Sequence, residues 1–513
     1  MPVTIDALEI AISKEIKCYE SDGILLCINH VLKELRNPKS VAHHYLPKGL
    51  PFFVAAGIAS FAIRYSNPYK NGPSLDWKAF STIASLVSQF LLCDPIGFDD
   101  EIGQKFQDSN PTFLILRIIA SQFGYHANPY TSYSQPLILY NEAAKQAEKE
   151  NNLKFDFHSE FQKVVGGKLH DFLIICFLSF AAAMSKNRFT RGYFEAARNQ
   201  GLIVPDDTVV QIVLGNIAAT PQIFRETYDK RKNADRRFRA YDFNPLFSYP
   251  LIRPWKDRHL LGMDADRLIA PVPDILCYRS SVGIYYQMYN AHISSFPDWF
   301  GHVFEAYVGI ILQKSLACSK IFPEKLIRQT YKSGKVSDYV VLDGKTAFLI
   351  EAKATKYTRS ILTIISDEDI NESLKQIDKG FKQLNEFRDA ILSKAKGLDA
   401  FHSCTEVIPI VISYGLLYLI NSVLFKDHLN KRLKEVYKID IRQWLILSIE
   451  ELERLQPHLA AGISLSEAVR IIGEMPFNDA LAEIQQITGK NNKDSFVYER
   501  GVDFFDNFTK KAK

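Results

Sequence analysis

The sequence lacks a long hydrophobic run, paired cysteines and a secretion signal. The longest apolar stretches among its 513 residues, 172–184 and 407–420, fall short of the about 20 residues that span a bilayer. Seven cysteines are widely spread, without a CxxC pair or a histidine cluster, which favours reduced thiols over disulfides or structural zinc. The N-terminal segment has no basic stretch followed by an apolar core. We therefore expect a cytoplasmic protein with no membrane partner.

The sequence also has little excess of charge of either sign. The formal net charge is +4, with 23% charged residues, so composition neither supports nor excludes nucleic acid as a partner. No GxxxxGK[ST] loop occurs, and ATP-driven translocation would need another subunit. The chain does have 47% hydrophobic residues, which are enough to bury a large core in two or more domains.

Breaks and composition divide the chain into four segments. Residues 1–240 alternate apolar helical stretches with Pro, Gly and Asn breaks, which predicts a mainly α-helical domain for recognition, regulation or oligomerisation. Residues 241–296 are rich in proline and aromatics and are interpreted as a connecting segment. Residues 297–455 mix strand and helix patterns, and residues 456–513 are expected to form a helical C-terminal tail.

One basic run stands out in the helical half. Residues 225–239 carry seven basic and three acidic side chains. This local excess makes Arg231, Arg236 and Arg237 candidates for contacts with phosphates. A solvated helix face is the alternative interpretation of the same run.

The most informative stretch is 337–353, SDYVVLDGKTAFLIEAK. Its runs 339–342 and 346–350 are short, apolar and rich in β-forming residues. Asp343-Gly344 between them is a dipeptide that suits a tight type I′ turn. The stretch therefore predicts a hairpin of two antiparallel strands.

Three charged side chains are expected to meet at the open end of this hairpin. Side chains alternate across a strand, so Glu351 and Lys353 share one face. Folding at the turn brings Asp338 roughly opposite Glu351. Two carboxylates and one ammonium would lose part of their hydration there, and a hard divalent cation could replace it.

The same tripeptide spacing occurs a second time without this setting. Glu15-Ile16-Lys17 follows no Asp-bearing strand, and we interpret it as a solvated helix face. A Glu-x-Lys by itself is therefore uninformative. The three hairpin charges could likewise be ordinary strand-end groups, with the glutamate and the lysine simply paired.

A predicted helix precedes the hairpin. Asp298 can cap it, and the apolar pattern continues through about Ser315. Glu305 lies in this apolar neighbourhood. Burying a carboxylate among apolar residues costs free energy unless the group is paired or binds a metal ion. Glu305 is therefore a candidate site residue.

A second helix is delimited after the hairpin. Ser366 can act as its N-cap, and Gly397 marks its end. Gln376 and Gln383 are seven residues apart and each adjoins a residue of the apolar stripe, so they share one face. Further strands are expected at 406–413 and 443–448.

This order of elements, with an Asp on one hairpin strand and a Glu-x-Lys on the next, resembles the PD-(D/E)xK superfamily of restriction-endonuclease-like phosphodiesterases. The resemblance covers roughly residues 297–450, and Ser337 stands where these proteins usually have proline. It implies an α/β nuclease core: a helix, a three-strand meander, a helix and a strand, in a mixed central sheet flanked by helices. A large, mainly α-helical domain would precede this core.

The resemblance also implies a site. Asp338, Glu351 and the Ala352 carbonyl would bind Mg²⁺ or Mn²⁺ through oxygen ligands. Glu305 matches the acid that many members carry on the first core helix, and it would complete the site or hold a second metal ion. Lys353 would position or help to deprotonate the attacking water and stabilise the developing charge. Contacts with substrate or with Lys353 are expected from Gln376, Gln383 and Lys379. Contacts with flanking phosphates are expected from Lys356 and Arg359.

The function implied is hydrolysis of nucleic-acid phosphodiester bonds by a Mg²⁺-dependent endonuclease. Similarity to bacterial restriction and antiphage defence nucleases favours DNA over RNA as the partner. The helical half would recognise a substrate, bind a partner protein or form a homodimer. The alternative is a non-catalytic helical interaction or nucleic-acid-binding protein that retains a nuclease-like fold.

Overall fold

The structure is a computed structural model, and its chain divides into two compact units. Unit 1 comprises Met1–Tyr133, Asp156–Ile293 and Asp503–Lys513, and unit 2 comprises Ser134–Phe155 and Ser294–Val502. The residues that the structure describes are 4–67, 74–93, 117–118, 121, 128–255, 267–317, 320–355, 362, 367–415, 421, 423–439 and 443–509.

Helices dominate the described chain. The helices as far as residue 291 are α1 (Ile5–Ile16), α2 (Ser21–Glu34), α3 (Ala42–Tyr45), α4 (Phe52–Tyr65), α5 (Trp77–Leu91), α6 (Pro129–Leu137), α7 (Ala144–Asn151), α8 (Phe157–Val165), α9 (Leu169–Ser185), α10 (Gly192–Asn199), α11 (Asp207–Ile217), α12 (Pro221–Arg231), α13 (Asp274–Ser280) and α14 (Val282–Ala291). They are followed by α15 (Phe296–Ser315), α16 (Glu324–Thr330), α17 (Asp367–Leu392), α18 (Val423–Tyr437), α19 (Ile449–Ala460), α20 (Leu465–Glu474), α21 (Phe477–Thr488) and α22 (Phe496–Thr509). The strands are β1 (Ala218–Ala219), β2 (Leu251–Ile252), β3 (Ile321–Pro323), β4 (Tyr339–Asp343), β5 (Thr346–Lys353), β6 (Glu406–Ser413) and β7 (Leu445–Ser448).

Unit 1 is built around apolar helices. The run that forms α4 is apolar enough to predict a core helix, and every residue from Val54 to Ile63 is buried. The α9 helix has the same character, with Phe172 and Ile175 fully buried. The mainly helical character predicted for residues 1–240 is confirmed in its described parts, where strand structure is confined to β1.

The segment 241–296 lies largely within unit 1, which extends to Ile293. It contains the end of a 3₁₀ turn at Arg236–Tyr241, a second turn at Pro245–Phe247, strand β2, and helices α13 and α14. Among the described residues, no single helix is long and apolar enough to cross a membrane, although α8 and α9, bent by 44°, meet the length and composition criteria together.

Unit 2 contains a mixed five-stranded sheet in the order β3-β4-β5-β6-β7. The pairs β3–β4 and β4–β5 are antiparallel, whereas β5–β6 and β6–β7 are parallel. Helix α17 connects β5 to β6, and α18 connects β6 to β7. Ala347 to Ile350 on β5 are at most 2% exposed, as expected of a strand that is covered on both faces. The predicted mixed sheet with flanking helices is therefore observed.

The hairpin turn differs from the prediction by one residue. Asp343 pairs with Thr346, so the two central turn residues are Gly344 and Lys345 rather than Asp343 and Gly344. Gly344 has φ of +62°, whereas Lys345 is not among the residues with positive φ. A type I′ turn needs positive φ at both central positions, and a type II′ turn needs it only at the first. The type I′ prediction is wrong, because strand pairing extends one step further than the local sequence indicated.

The cap of α15 was also predicted wrongly. The helix begins at Phe296 with Ser295 at the N-cap position, and Asp298 lies in the first turn. Pro297 explains the shift, because proline is accommodated in the first turn, where its missing N–H is not needed. The apolar stripe predicted for this helix is confirmed: Trp299, Val303, Tyr307 and Ile311 are all buried.

The α15 helix packs closely against β4 at a glycine. A Cβ added at Gly309 would overlap the hydroxyl and ring of Tyr339. The Tyr339 ring is 6% exposed, and its hydroxyl donates a hydrogen bond to the Glu305 carbonyl at 3.1 Å. Gly309 therefore allows the helix that carries Glu305 to lie directly on the strand that follows Asp338.

Replacing Gly309 by alanine is expected to lower the free energy of unfolding by about 1–3 kcal/mol, because the buried tyrosine ring would have to shift. Gly301→Ala on the same helix is the matched control, since nothing lies within 4 Å of a Cβ at that position. The control is expected to be neutral or to stabilise by up to about 1 kcal/mol through helix propensity. Urea unfolding of both variants measures the difference, and equal effects would contradict the close packing.

Candidate active site

The register of the hairpin brings Asp338 to the Glu351 end of the neighbouring strand. Tyr339 pairs with Ile350, so Asp338 comes directly before the paired region and Glu351 directly after it. The Asp338 carboxylate accepts a hydrogen bond from the Ala352 backbone N–H at 2.7 Å. Asp338 and the segment that follows Glu351 therefore meet at the open end of the hairpin, as the sequence predicted.

Glu351 and Lys353 share one face of β5, and their side chains meet. The Lys353 ammonium donates to Glu351 Oε1 at 2.5 Å. The Glu351 side chain is 1% exposed and that of Lys353 is 22% exposed. The predicted grouping of Asp338, Glu351 and Lys353 is thus present, with a buried acid and a lysine that reaches solvent.

Gln383 on α17 completes the contacts of this acid. Its amide donates to Glu351 Oε2 at 3.0 Å and to the Val336 carbonyl at 2.9 Å. Gln383 therefore fixes the carboxylate to the segment before β4. Gln383 was predicted to contact substrate or Lys353. In the structure it contacts Glu351, the acid beside Lys353. A hydrogen bond between a side chain and a distant carbonyl has no local sequence signal.

Glu305 on α15 faces the same group of charges. Its side chain is 35% exposed and lies 4.0 Å from His302. Burial, and next the negative charge of Asp338, raise the pKa of Glu305 to about 8. The charge of Asp338 therefore acts on Glu305.

The carboxyl groups of the site hold their protons more strongly than ordinary acids do. Burial and the neighbouring Asp338 charge raise the pKa of Glu351 to about 8, against the opposing effect of Lys353. Burial raises the pKa of Asp338 to about 6, although the Ala352 N–H and Lys353 lower it. One ammonium does not neutralise three acids in so little solvent.

The donor set fits a hard divalent cation. Asp338 and Glu351 offer carboxylate oxygens and Ala352 a carbonyl, the ligand types that Mg²⁺ and Mn²⁺ prefer. Burial is the main cause of the raised pKa values of the three acids, and the negative charges of neighbouring carboxylates add to it. A divalent cation would offset those negative charges. Within the described ranges, no three His, Cys, Asp or Glu side chains form a preformed metal-binding cluster. A cation would therefore have to rearrange the present contacts of Glu351.

The remaining predicted substrate contacts are placed less closely. Gln376 and Lys379 are exposed on α17, and Gln376 precedes Gln383 by about 10 Å along the helix axis. Lys356 and Arg359 lie outside the described residues.

The arginines of the basic run are engaged with neighbours inside unit 1. The Arg231 guanidinium lies 3.6 Å from the centre of the Phe243 ring. Arg236 pairs with Asp6, and Arg237 pairs with Asp235 at 2.5 Å. A phosphate would have to compete with these contacts, which charge counting along the sequence does not reveal.

Two further acids influence the site and were missed from the sequence. The charges of Glu324 and Glu150 both raise the pKa of Glu305. The backbone N–H of Glu324 also donates to the Asp338 carbonyl at 2.8 Å. An acid after Pro323 at a helix start is a detectable signal, and it could have identified Glu324. Glu150 had none, because it lies in a segment assigned to the helical half.

A buried carboxyl lies on the other side of α15. Glu453 on α19 is 5% exposed and accepts hydrogen bonds from Tyr307 at 2.7 Å and from Gln135 at 2.8 Å. Burial raises its pKa from 4.5 to about 7. The protonated form is therefore the one that suits this interior.

The contribution of Glu453 to the free energy of unfolding should therefore fall as the pH rises. Between pH 4.5 and about 7 the folded protein holds a proton on Glu453 that the unfolded chain has lost, so this group costs about 3 kcal/mol above pH 7 and nothing below pH 4.5. Glu453→Gln keeps an acceptor for Tyr307 and Gln135. We expect the variant to be more stable than the wild type by about 2–3 kcal/mol at pH 8 and equal to it near pH 4.5. A difference that does not change with pH in urea unfolding would contradict this assignment.

Comparison with known proteins gives no relative. No protein-family model, no curated protein and no solved structure matches this chain significantly. The chemistry of the site therefore has to be argued from its own residues.

Proposed function

We propose that this protein is a metal-dependent nuclease that hydrolyses nucleic-acid phosphodiester bonds, with Asp338, Glu351 and Lys353 as its catalytic group. The observation that carries the proposal is the convergence of the buried Glu351, the half-buried Asp338 and one lysine at the open end of one hairpin. The resemblance to restriction-endonuclease-like enzymes supports the same conclusion. It favours a DNA endonuclease of bacterial restriction or antiphage defence.

The chemistry needs a positive charge beside the phosphate and a nucleophile near neutral pH, and a bound Mg²⁺ or Mn²⁺ supplies both by polarising a water and a phosphoryl oxygen. Asp338 and Glu351 would hold that cation, with the Ala352 carbonyl and Glu305 as further ligands. The Lys353 side chain is 22% exposed, and its ammonium lies beside Glu351. It would orient the attacking water and stabilise the charge that develops on the phosphate.

The substrate would approach along α17. Gln383 holds the Glu351 carboxylate in place, while the exposed Gln376 and Lys379 offer a donor and a cation to the nucleic-acid backbone. Phosphate contacts of this kind position a duplex without reading its sequence.

A second candidate is a nucleic-acid-binding or helical interaction protein without turnover. The observation that favours it is the pairing of both Glu351 oxygens, with Lys353 and with Gln383. A structural ion pair in a buried strand would make the same contacts.

Cleavage assays separate the two functions. The full chain is incubated with single-stranded DNA, duplex DNA, single-stranded RNA and an RNA–DNA hybrid, in Mg²⁺ and in EDTA. The nuclease proposal expects Mg²⁺-dependent fragments from DNA substrates. Binding of these nucleic acids with no fragments in Mg²⁺ or Mn²⁺ would support the second candidate and exclude the first.

A further inference from the structure

Each oxygen of the Glu351 carboxylate already accepts a hydrogen bond. Lys353 Nζ lies 2.5 Å from Oε1 and Gln383 Nε2 lies 3.0 Å from Oε2. The side chain is 1% exposed, so water does not provide a spare contact. Each oxygen keeps a further lone pair, but a divalent cation at Oε1 would lie beside the Lys353 ammonium, and the two positive charges would repel each other.

Gln383 is the donor that is harder to move. Its amide also bonds to the Val336 carbonyl at 2.9 Å, so rotating it away would break two hydrogen bonds at once. It is carried on α17, which lies close to the acid: a Cβ at Gly380 would lie 3.7 Å from Glu351 Cγ. Two hydrogen bonds and the packing of α17 therefore hold Gln383 in place.

Lys353 is the donor that can leave. Its side chain keeps 22% of its surface exposed, and a lysine has a flexible four-carbon stem with a strongly hydrated head. When Nζ moves away from Oε1, water can solvate it. Its departure removes one positive charge from the acids, and a divalent cation in its place would supply two.

We propose that Lys353 is a displaceable internal cation, which holds Glu351 in the metal-free protein and releases it when a divalent metal ion binds. This inference rests on the proposed function, because it assumes that Asp338 and Glu351 are metal ligands. It adds that metal binding itself releases the Lys353 ammonium for catalysis. The lysine that blocks Glu351 before metal binding becomes free to face water and phosphate after it.

Lysine release is tested by determining crystal structures of the full chain without metal and with Mn²⁺, whose anomalous scattering locates the ion independently of activity. We expect Mn²⁺ on Asp338 and Glu351, with Lys353 Nζ beyond about 3.5 Å from Oε1. Mn²⁺ bound there with the Lys353–Glu351 pair intact overturns the inference and leaves the nuclease proposal standing. No Mn²⁺ at these acids overturns both.

A solution measurement covers the case in which crystals do not form. Mn²⁺ affinity is measured by calorimetry at pH 9 for the wild type, Lys353→Met and the charge-preserving Lys353→Arg. Removing the competing ammonium should tighten binding by about tenfold or more in the methionine variant, since a hydrogen bond to a charged group no longer has to be broken. The arginine variant should stay within about threefold of the wild type. Equal or weaker binding by the methionine variant overturns the inference.

Discussion

Asp338→Asn and Lys353→Ala are each expected to lower the rate of nucleic-acid cleavage by about 10²–10⁴-fold, the usual loss when a charged group that acts on the transition state is removed. Asparagine keeps an oxygen that can accept the Ala352 N–H, so the hairpin end should keep its shape while the metal loses a charged ligand. Lys353→Ala removes the ammonium beside the acids and leaves both carboxylates. The two losses therefore have different causes.

The matched control is Lys345→Ala, because Lys345 is an exposed lysine at the opposite end of the same hairpin. It should cleave at the wild-type rate. Binding of nucleic acid, measured by gel shift in Ca²⁺, should be retained by Lys353→Ala. Undiminished cleavage by Asp338→Asn and Lys353→Ala would remove these residues from the active site, whatever the protein cuts.

Arg432→Ala is expected to lower the free energy of unfolding of unit 2 by about 3–5 kcal/mol, since it would remove the guanidinium that offsets the charge of a buried carboxylate. Arg432 on α18 donates through Nε at 2.7 Å and Nη2 at 2.5 Å to Asp378 on α17. Asp378 is completely buried, and the Arg432 side chain is 12% exposed. This ion pair joins α17, which connects β5 to β6, to α18, which connects β6 to β7.

Two controls isolate that effect. Arg470→Ala breaks the Arg470–Glu474 pair, whose side chains are both 57% exposed, and it should cost less than about 0.5 kcal/mol. The double variant Arg432→Met with Asp378→Leu removes both buried charges and should recover most of the lost stability. Urea unfolding measures all three. Equal costs for Arg432→Ala and Arg470→Ala would show that the buried charge is already compensated elsewhere.

The parts of the site that local sequence encodes were predicted well. Two short apolar runs rich in β-forming residues and the Asp343-Gly344 dipeptide predicted the hairpin, and the two-residue period of a strand put Glu351 and Lys353 on one face. Strand β6 was predicted at its observed bounds of Glu406–Ser413. These features depend on residues that are close together in the sequence, so the local sequence pattern predicts them.

Features that depend on distant partners were not predictable in this way. The turn moved by one residue because Asp343 continues the ladder with Thr346. The bond from Gln383 to Val336 joins residues far apart in the chain. Glu150 reaches the site from a segment that the sequence assigned elsewhere. In each case the fold, rather than a local preference, decides which groups meet.

The contacts of the basic run 225–239 also depend on distant partners. Its seven basic residues indicated a phosphate-binding surface, but charge counting cannot tell a free cation from one with a partner. Arg239 pairs with the partly buried Glu9 at 2.5 Å, and Arg236 pairs with Asp6. Pairing of this kind supports the stability of unit 1 as readily as it supports substrate binding.

The central claim is that Asp338 and Glu351 form one metal-binding site beside Lys353. Titration of the full chain with Mn²⁺, followed by electron paramagnetic resonance of the free ion at pH 8.5, tests it most directly. We expect the wild type to bind Mn²⁺ and the Asp338→Asn, Glu351→Gln double variant to bind it at least about 100-fold more weakly, because both charged ligands are lost. Equal Mn²⁺ affinity in the wild type and the double variant would contradict the claim.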